Sequence, residues 1–267
     1  MTLPTKRGTQ PFQYAGNIDQ DVTINVAPSG GDFTTLTEAL AYVSNYKLTT
    51  SGSLTIQVAD GTYDESNLSL PNLGKSYTLI GNSTNPENCV LSITSLAGFR
   101  SDGADCGIEG FTIRNLLPVG RAVESYSGGF IVLTNVTIGM GSLSDLGIQA
   151  ASGAAILLSG KINISRTTNG NSFAGVYASN CGMITFWGAV TSISRFYDGL
   201  LATNGSHVRL GNGGSITITS CTFGYRAIAN SQINFENVTY SASGNTTNYS
   251  PAIGIQGNGF ASIVNNT

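Results

Sequence analysis

Asp198 and Glu236 are the two carboxylates of the C-terminal half that could carry acid–base chemistry on a sugar chain. Glycosidic hydrolysis needs two carboxyl groups, about 5–5.5 Å apart for retention of configuration or about 6.5–9.5 Å apart for inversion. Twelve of the fifteen acidic residues lie at or before Glu124, which leaves Asp145 as the only other acid in the rest of the chain. Asp198 and Glu236 are therefore weak catalytic candidates, and the sequence leans against an enzyme.

A segment from Phe173 to Arg209 concentrates aromatic rings with planar polar side chains. Aromatic faces stack against the C–H groups of sugars, and planar polar groups bond sugar hydroxyls. The sequence therefore predicts a glycan-binding flank. The residues expected to form it are Trp187, Arg195, Tyr197, Asp198, His207 and Arg209.

Two other kinds of chemistry find little support in the same segment. Arg195 near Asp198 could serve a lyase, but a surface pair is the simpler explanation. His207 is the single imidazole of the chain, so neither a Ser-His-Asp set nor a zinc site can be argued from it. We expect no metal ion and no cofactor.

The composition limits the partners. Charged residues make up 10% of the chain, and glycine accounts for 34 residues. A net charge of −3 argues against nucleic acid, which requires a basic stripe. No run of about 18 apolar residues and no signal peptide is visible, so membrane insertion is not expected. The four cysteines are expected to be reduced and buried, which fits synthesis in a reducing compartment.

A repeat of about 25 residues organises most of the chain. It is marked by six triplets in which a polar residue lies between apolar ones. A period in the twenties favours a solenoid of short strands, with glycine and asparagine at the corners. The fourth triplet is imperfect, and Ile184-Thr185-Phe186 could replace it. The triplets are Phe111-Thr112-Ile113, Val136-Thr137-Ile138, Ile162-Asn163-Ile164, Val190-Thr191-Ser192-Ile193, Ile216-Thr217-Ile218 and Val238-Thr239-Tyr240.

The two ends of the chain are expected to differ. Residues 1–20 are predicted to be an extended arm, and residues 21–267 the solenoid domain. Thr35 and Glu38 form a capping box for a helix over Leu36 to Asn45, which could cover the first coil. The other end finishes on Ala252–Ile255 and Phe260–Val264, which read as strands. An uncovered apolar end predicts assembly into a homo-oligomer.

The segment Val26-Ala-Pro-Ser-Gly-Gly-Asp-Phe-Thr-Thr-Leu-Thr-Glu-Ala-Leu40 resembles the opening of pectin methylesterases and of other right-handed parallel β-helix proteins of the pectate-lyase superfamily. Val58–Glu65 and Tyr77–Gly81 resemble the following strand, turn and coil. The likeness implies an all-β, right-handed, single-stranded parallel β-helix with a short N-terminal capping helix. The catalytic motifs of the esterases, among them Gln-Asp-Thr-Leu and Gly-Arg-Pro-Trp, do not occur in the chain, so no esterase residue is carried over.

The later coils, and above all Asp198-Gly-Leu-Leu-Ala-Thr-Asn-Gly-Ser-His-Val-Arg-Leu210, resemble those of bacteriophage tailspikes and tail fibres. This resemblance implies a homotrimeric virion protein that meets a host-surface polysaccharide, with the N-terminal arm attached to other virion or tail proteins. The alternatives are a polysaccharide depolymerase, either hydrolase or lyase, on the same fold, and a secreted relative of carbohydrate esterases.

Overall fold

A computed structural model describes residues 16–141, 146–168, 173–236, 238–251 and 262–266 of the protein. The chain forms a parallel β-solenoid of about seven turns, and 61% of the described residues are in strands. Every strand pairing is parallel within these residues. The predicted all-β parallel solenoid with a short N-terminal helix is thus confirmed.

The elements follow one another in the order of the coils. The first are β1 (Gly16–Ile18), β2 (Asp21–Val26), α1 (Leu36–Val43), β3 (Tyr46–Leu48), β4 (Ser53–Val58), β5 (Gly61–Glu65), β6 (Leu68–Leu70), β7 (Tyr77–Ile80), a 3-10 turn at Pro86–Asn88, β8 (Cys89–Ile93) and β9 (Ala97–Asp102). The middle of the chain forms β10 (Asp105–Glu109), β11 (Thr112–Asn115), β12 (Arg121–Tyr126), β13 (Phe130–Met140), β14 (Leu146–Ala151), β15 (Ala155–Arg166), β16 (Ala174–Ser179) and β17 (Met183–Trp187). The last are β18 (Val190–Ser194), β19 (Asp198–Thr203), β20 (His207–Gly211), β21 (Ser215–Thr219), β22 (Phe223–Ile228), β23 (Gln232–Glu236), β24 (Thr239–Ser243), β25 (Thr247–Pro251) and β26 (Ser262–Asn266).

All of these strands except β1 and β3, which form a separate two-stranded sheet, stack into three faces around the main apolar core. Face 1 contains β2, β4, β7, β10, β13, β15, β17, β20, β23 and β26, and face 2 contains β5, β8, β11, β13, β15, β18, β21 and β24. Face 3 is formed by β6, β9, β12, β14, β16, β19, β22 and β25. The long strands β13 and β15 pass from face 1 into face 2, with a register shift between Thr134 and Val136.

The predicted triplets form the centre of face 2. Thr112, Thr137, Asn163, Ser192, Thr217 and Ser241 are register partners from one coil to the next. The isoleucines that follow them stack inward: Ile113, Ile138, Ile164, Ile193 and Ile218 are all buried. The pattern was therefore a correct signal of the fold, because alternation along each strand directs apolar residues inward and polar residues outward.

Two triplets need correction. In the fourth, Ser192 is the central residue, since Thr191 pairs with Ile162 and points into the core. Ile184-Thr185-Phe186 lies in β17 of face 1, so it does not replace this copy. In the sixth, Tyr240 pairs with Ile216, which makes Tyr240-Ser241-Ala242 the copy in register. Insertions in the corners change the number of residues between successive triplets but leave the strands of face 2 in register.

Helix α1 covers the N-terminal part of the core through Leu36, Ala39, Leu40 and Val43, all buried. Thr35 caps the helix by accepting a hydrogen bond from the Glu38 amide at 3.2 Å. A second cap comes from β5, where the buried Glu65 carboxylate accepts from the amides of Leu36 at 2.6 Å and Thr37 at 3.0 Å. The helix ends at Val43, before the predicted Asn45.

The ends of the chain are only partly described. Residues 1–15 of the predicted arm and the predicted strand Ala252–Ile255 lie outside the described residues. Gly16–Ile18 pairs with β3, and Ser262–Val264 belongs to β26, which pairs with β23. The described part of the chain contains no helix with the length and apolarity needed to cross a bilayer.

All four cysteines are unpaired, and Cys89, Cys106 and Cys221 are buried as predicted. Cys181 is exposed, so the expectation was wrong at this position. It occupies the corner after β16, where its φ of 63° and the φ of 49° at Asn180 turn the chain out of the sheet. A side chain at such a corner points away from the core.

A column of glycines sets how closely the face 3 strands approach the rest of the coil. Gly147, Gly175 and Gly199 each occupy the second place of their strand. A Cβ added at Gly199 would lie 2.4 Å from the Gly224 carbonyl oxygen and 2.5 Å from the Ile218 Cγ2. A side chain cannot be accommodated there unless the coils move apart.

We expect Gly199→Ala to lower the free energy of unfolding by about 1–3 kcal/mol, the usual cost of forcing an extra methyl into a packed core. Gly139→Ala is the matched control, because its Cβ would meet only the Arg114 Cγ at 3.9 Å. Thermal unfolding followed by circular dichroism compares the two variants. Equal melting temperatures would contradict the packing argument.

Candidate functional site

The outer side of face 3 carries charged and polar side chains at its two ends and an apolar cluster at its centre. On each strand the first, fourth and sixth residues lie outside the main core, although several of them, among them Glu124, Asp198 and Leu201, are buried. The fourth residues are register partners along the solenoid: Arg100, Glu124, Gln149, Tyr177, Leu201 and Arg226. We call this the face 3 surface, defined by the outward residues of β9, β12, β14, β16, β19 and β22.

The N-terminal end of the face 3 surface is a charged cluster around Glu124. Its carboxylate is only 1% exposed and accepts from Arg121 Nη1 at 2.8 Å and Arg100 Nη1 at 3.3 Å. The Tyr126 hydroxyl accepts from Arg121 at 3.1 Å and donates to Gln149 Oε1 at 3.0 Å. Burial raises the pKa of Tyr126, and the Glu124 carboxylate adds to the effect. This end is a rigid network of paired groups.

The centre of the surface is apolar. Leu146, Ala174 and Leu201 form a buried cluster separate from the main core, and Tyr177 packs on it. The Tyr177 hydroxyl lies 3.1 Å from the Thr203 Oγ1. Phe173 is 47% exposed and meets the Tyr177 ring edge-on, with 5.1 Å between ring centroids. Two partly open rings therefore stand on an apolar floor.

The C-terminal end contains an ion pair that packs against two aromatic rings. Arg226 Nη2 donates to Asp198 Oδ2 at 2.6 Å, and Asp198 is 1% exposed. The Arg226 guanidinium carbon lies 5.4 Å from the Tyr197 ring centroid and 5.0 Å from that of Phe223, within the range of cation–π attraction. The two rings contact each other edge-on at 5.3 Å.

Burial raises the pKa of Asp198 to about 6, although the hydrogen bond and the positive charge of Arg226 act in the opposite direction. Burial is the larger effect because the carboxylate loses its water and receives a single hydrogen bond in return. Asp198 Oδ1 has no hydrogen-bond partner among the described residues. The carboxylate is thus held in an environment that favours its neutral form.

The predicted binding residues are divided between two faces. Asp198 starts β19 on face 3, Tyr197 precedes it, and Arg195 occupies the corner before them, donating to the Arg166 carbonyl oxygen at 3.2 Å. Trp187, His207 and Arg209 lie on face 1, where Trp187 is 52% exposed and Arg209 pairs with Glu236 at 2.7 Å. The six predicted residues therefore do not form a single patch.

No carboxylate pair suited to glycosidic hydrolysis forms from the candidate residues. Asp198 and Glu236 belong to different faces, as their separation of 38 positions suggested. Glu124 shares face 3 with Asp198, but three strand spacings of about 4.8 Å separate β12 from β19. That distance of at least about 14 Å exceeds the span of either hydrolytic arrangement.

Several residues of the face 3 surface were missed from the sequence: Arg100, Tyr126, Tyr177, Phe223 and Arg226. A signal for them existed. Five strands of face 3, namely β9, β14, β16, β19 and β22, share a six-residue pattern with glycine second and alanine or serine fifth, as in Ala174–Ser179 and Asp198–Thr203. Aligning these hexapeptides places the fourth residues in one column. The prediction instead followed the density of aromatic residues along the chain, which mixes two faces.

The raised pKa of Asp198 predicts a pH-dependent contribution to stability. The unfolded chain releases this proton near pH 3.8 and the folded chain near pH 6. The folded state therefore loses stability relative to the unfolded state as the pH rises from about 4 to 6, and the loss is complete above that range. Its size is on the order of 1–3 kcal/mol.

We expect the melting temperature of the wild type, relative to that of Asp198→Asn, to be higher at pH 4 than at pH 7.5. The asparagine variant cannot titrate at this position, so the difference isolates the carboxyl group. Differential scanning calorimetry at both pH values measures it. A difference that does not change with pH would show that Asp198 titrates as an ordinary carboxyl.

No protein-family model matches the chain, and neither the curated proteins nor the solved structures compared with it contain a match. The resemblances to the pectate-lyase superfamily and to phage tailspikes therefore stay predictions. The established result is the parallel β-solenoid itself and the surface that it presents on face 3.

Proposed function

We propose that this protein is an adhesin-like module that binds polysaccharide along the face 3 surface. The observation that carries the proposal is the set of partly exposed rings, Phe173, Tyr177, Tyr197 and Phe223, beside planar polar groups on neighbouring strands. Rings of this kind stack on the apolar faces of sugars, while amide, carboxylate and guanidinium groups bond hydroxyls. The parallel β-solenoid is compatible with such a role.

The spacing of the strands suits a polymer. Successive coils of a parallel sheet lie about 4.8 Å apart, which is close to the length of one sugar unit in a chain. A polysaccharide that runs along the solenoid axis would meet the same column of side chains once per unit. The rings of Tyr177 on β16 and Phe223 on β22 are two strands apart in face 3, so they would contact different units of one chain.

Binding is favoured over cleavage by the positions of the carboxylates. The two buried acids of the face 3 surface, Glu124 and Asp198, are each engaged by arginine and lie too far apart to act on one bond. Recognition needs no such pair. We therefore assign recognition to this surface and do not propose depolymerase activity.

We expect Tyr177→Ala and Phe223→Ala each to weaken polysaccharide binding about 3- to 10-fold, the range that corresponds to the loss of one stacked ring. The probes are purified bacterial capsular polysaccharides and lipopolysaccharides, immobilised for biolayer interferometry. Phe130→Ala is the matched control, because Phe130 is an outward ring on face 1 with 39% exposure.

The same titrations distinguish the two faces. Unchanged binding by both face 3 variants, together with a loss in Trp187→Ala, would place the site on face 1 and contradict the proposal. Circular dichroism spectra and melting temperatures of all variants show that folding is preserved.

The more specific form of the proposal concerns the biological setting. We propose that the protein is a tailspike-like virion protein, made in the bacterial cytoplasm, that assembles as a homotrimer and recognises a host-surface polysaccharide, with its N-terminal arm attached to other tail proteins. The support is the resemblance of the coil at Asp198–Leu210 and the compatibility of the solenoid with adhesin-like roles.

The trimer can be tested on the purified full chain. We expect light scattering to give a mass about three times the 27.7 kDa of one chain at micromolar concentration, as the resemblance to homotrimeric tailspikes implies. A stable monomer under these conditions would contradict the assembly. It would not contradict the proposed binding surface on face 3, since that surface lies within one chain.

A further inference from the structure

The ion pair of Asp198 and Arg226 is made through only one of its two possible parallel hydrogen bonds. Arg226 Nη2 donates to Asp198 Oδ2 at 2.6 Å. Asp198 Oδ1 and Arg226 Nε, the atoms that would form the second bond, are both buried and have no partner in the described part of the chain. A guanidinium and a carboxylate usually meet through both bonds. We call this Asp198–Arg226 pair, which lacks its second hydrogen bond, an open fork.

An open fork of this kind is costly in the folded protein. A buried polar atom without a hydrogen bond loses its interaction with water and gains nothing in return. The cost falls on both partners, since Nε is a donor and Oδ1 is an acceptor. A ligand that supplies one acceptor and one donor side by side would remove the cost on both atoms at once.

The surroundings restrict the ligand to one that also has an apolar face. Tyr197 and Phe223 pack together on one side of the Arg226 guanidinium, and both rings are partly exposed. Because Asp198 Oδ1 and Arg226 Nε are buried beside these rings, a ligand would reach them by displacing a ring edge and then packing against the ring faces. A sugar ring offers C–H faces for the aromatic groups and hydroxyls at its rim for the fork.

We propose that the Asp198–Arg226 fork is a subsite for two adjacent hydroxyls of a neutral sugar unit. One hydroxyl donates to Asp198 Oδ1, and its neighbour accepts from Arg226 Nε. The inference rests on the proposed polysaccharide binding by the face 3 surface and adds the chemical group that is recognised. An acidic sugar suits the fork poorly, because its carboxylate would face Asp198 and has no proton to donate to Oδ1.

The experiment uses the polysaccharide that the wild-type full chain binds in the titrations above, in two forms. One form is intact, and the other is oxidised with periodate and reduced with borohydride, which cleaves the carbon–carbon bond between adjacent hydroxyls. Wild type, Asp198→Asn and Arg226→Lys are titrated against both forms at pH 7.5. Arg114→Lys, an exposed arginine on face 2, is the control substitution.

We expect oxidation to weaken wild-type binding at least about tenfold, the ratio for one hydrogen bond to a charged group. Asp198→Asn and Arg226→Lys should bind the intact form about tenfold more weakly and lose no more than about twofold on oxidation, because the recognising fork is already gone. Arg114→Lys should behave as the wild type. Asparagine keeps the shape of aspartate and lysine keeps the positive charge, so both variants are expected to fold.

Three outcomes would overturn the inference. Equal wild-type binding to both forms would show that adjacent hydroxyls are not recognised, although polysaccharide binding itself would stand. An equal loss on oxidation in the wild type and in both variants would place the recognised hydroxyls elsewhere on the surface. Binding to no polysaccharide would overturn the proposed function together with the subsite.

Discussion

Parallel backbone hydrogen bonding between successive coils is the constraint on which the rest of this structure depends. Because each residue of a strand lies directly over its partner in the neighbouring coil, one position of the repeat becomes a column along the whole solenoid. The isoleucines of face 2 form such a column in the core, and the glycines of face 3 form another where backbones approach closely. Core packing and surface pattern are thus set by the same register.

The stacking also determines where charges can be held. With few charged residues available, the long-range ion pairs of the described chain connect neighbouring coils: Arg100 with Glu124, Arg209 with Glu236, and Arg226 with Asp198. A pair exposed on both sides, such as Arg209 with Glu236, contributes little to stability. Asp198 differs because it is buried and only half satisfied. A group held at such a cost in a water-poor place is the kind that functional sites retain.

The sequence was sufficient to predict the fold because the period of its repeat indicates a solenoid. The triplets of face 2 and the capping box of α1 predicted the solenoid and its helix, and both are observed. The face 3 surface was harder to predict from the sequence. The density of aromatic residues along the chain grouped Trp187 on face 1 with Tyr197 beside face 3. The chain turns a corner every few residues, so residues close in sequence can lie on different faces. The hexapeptides of face 3 keep only their glycine and small residue, so their outward residues vary in type and give no pattern of their own.

The variation of the outward residues has a physical meaning of its own. A column that packs into the main core accepts one size of side chain, as the isoleucines of face 2 show, whereas a column outside that core accepts side chains of several kinds. Along face 3 the fourth position changes from Arg100 and Glu124 through Tyr177 and Leu201 to Arg226. Charged, aromatic and apolar groups therefore follow one another along a straight line at a fixed interval. A linear polymer bound along that line would meet a different chemical environment at each coil, so specificity can arise from the order of side chains on a rigid surface without any moving loop.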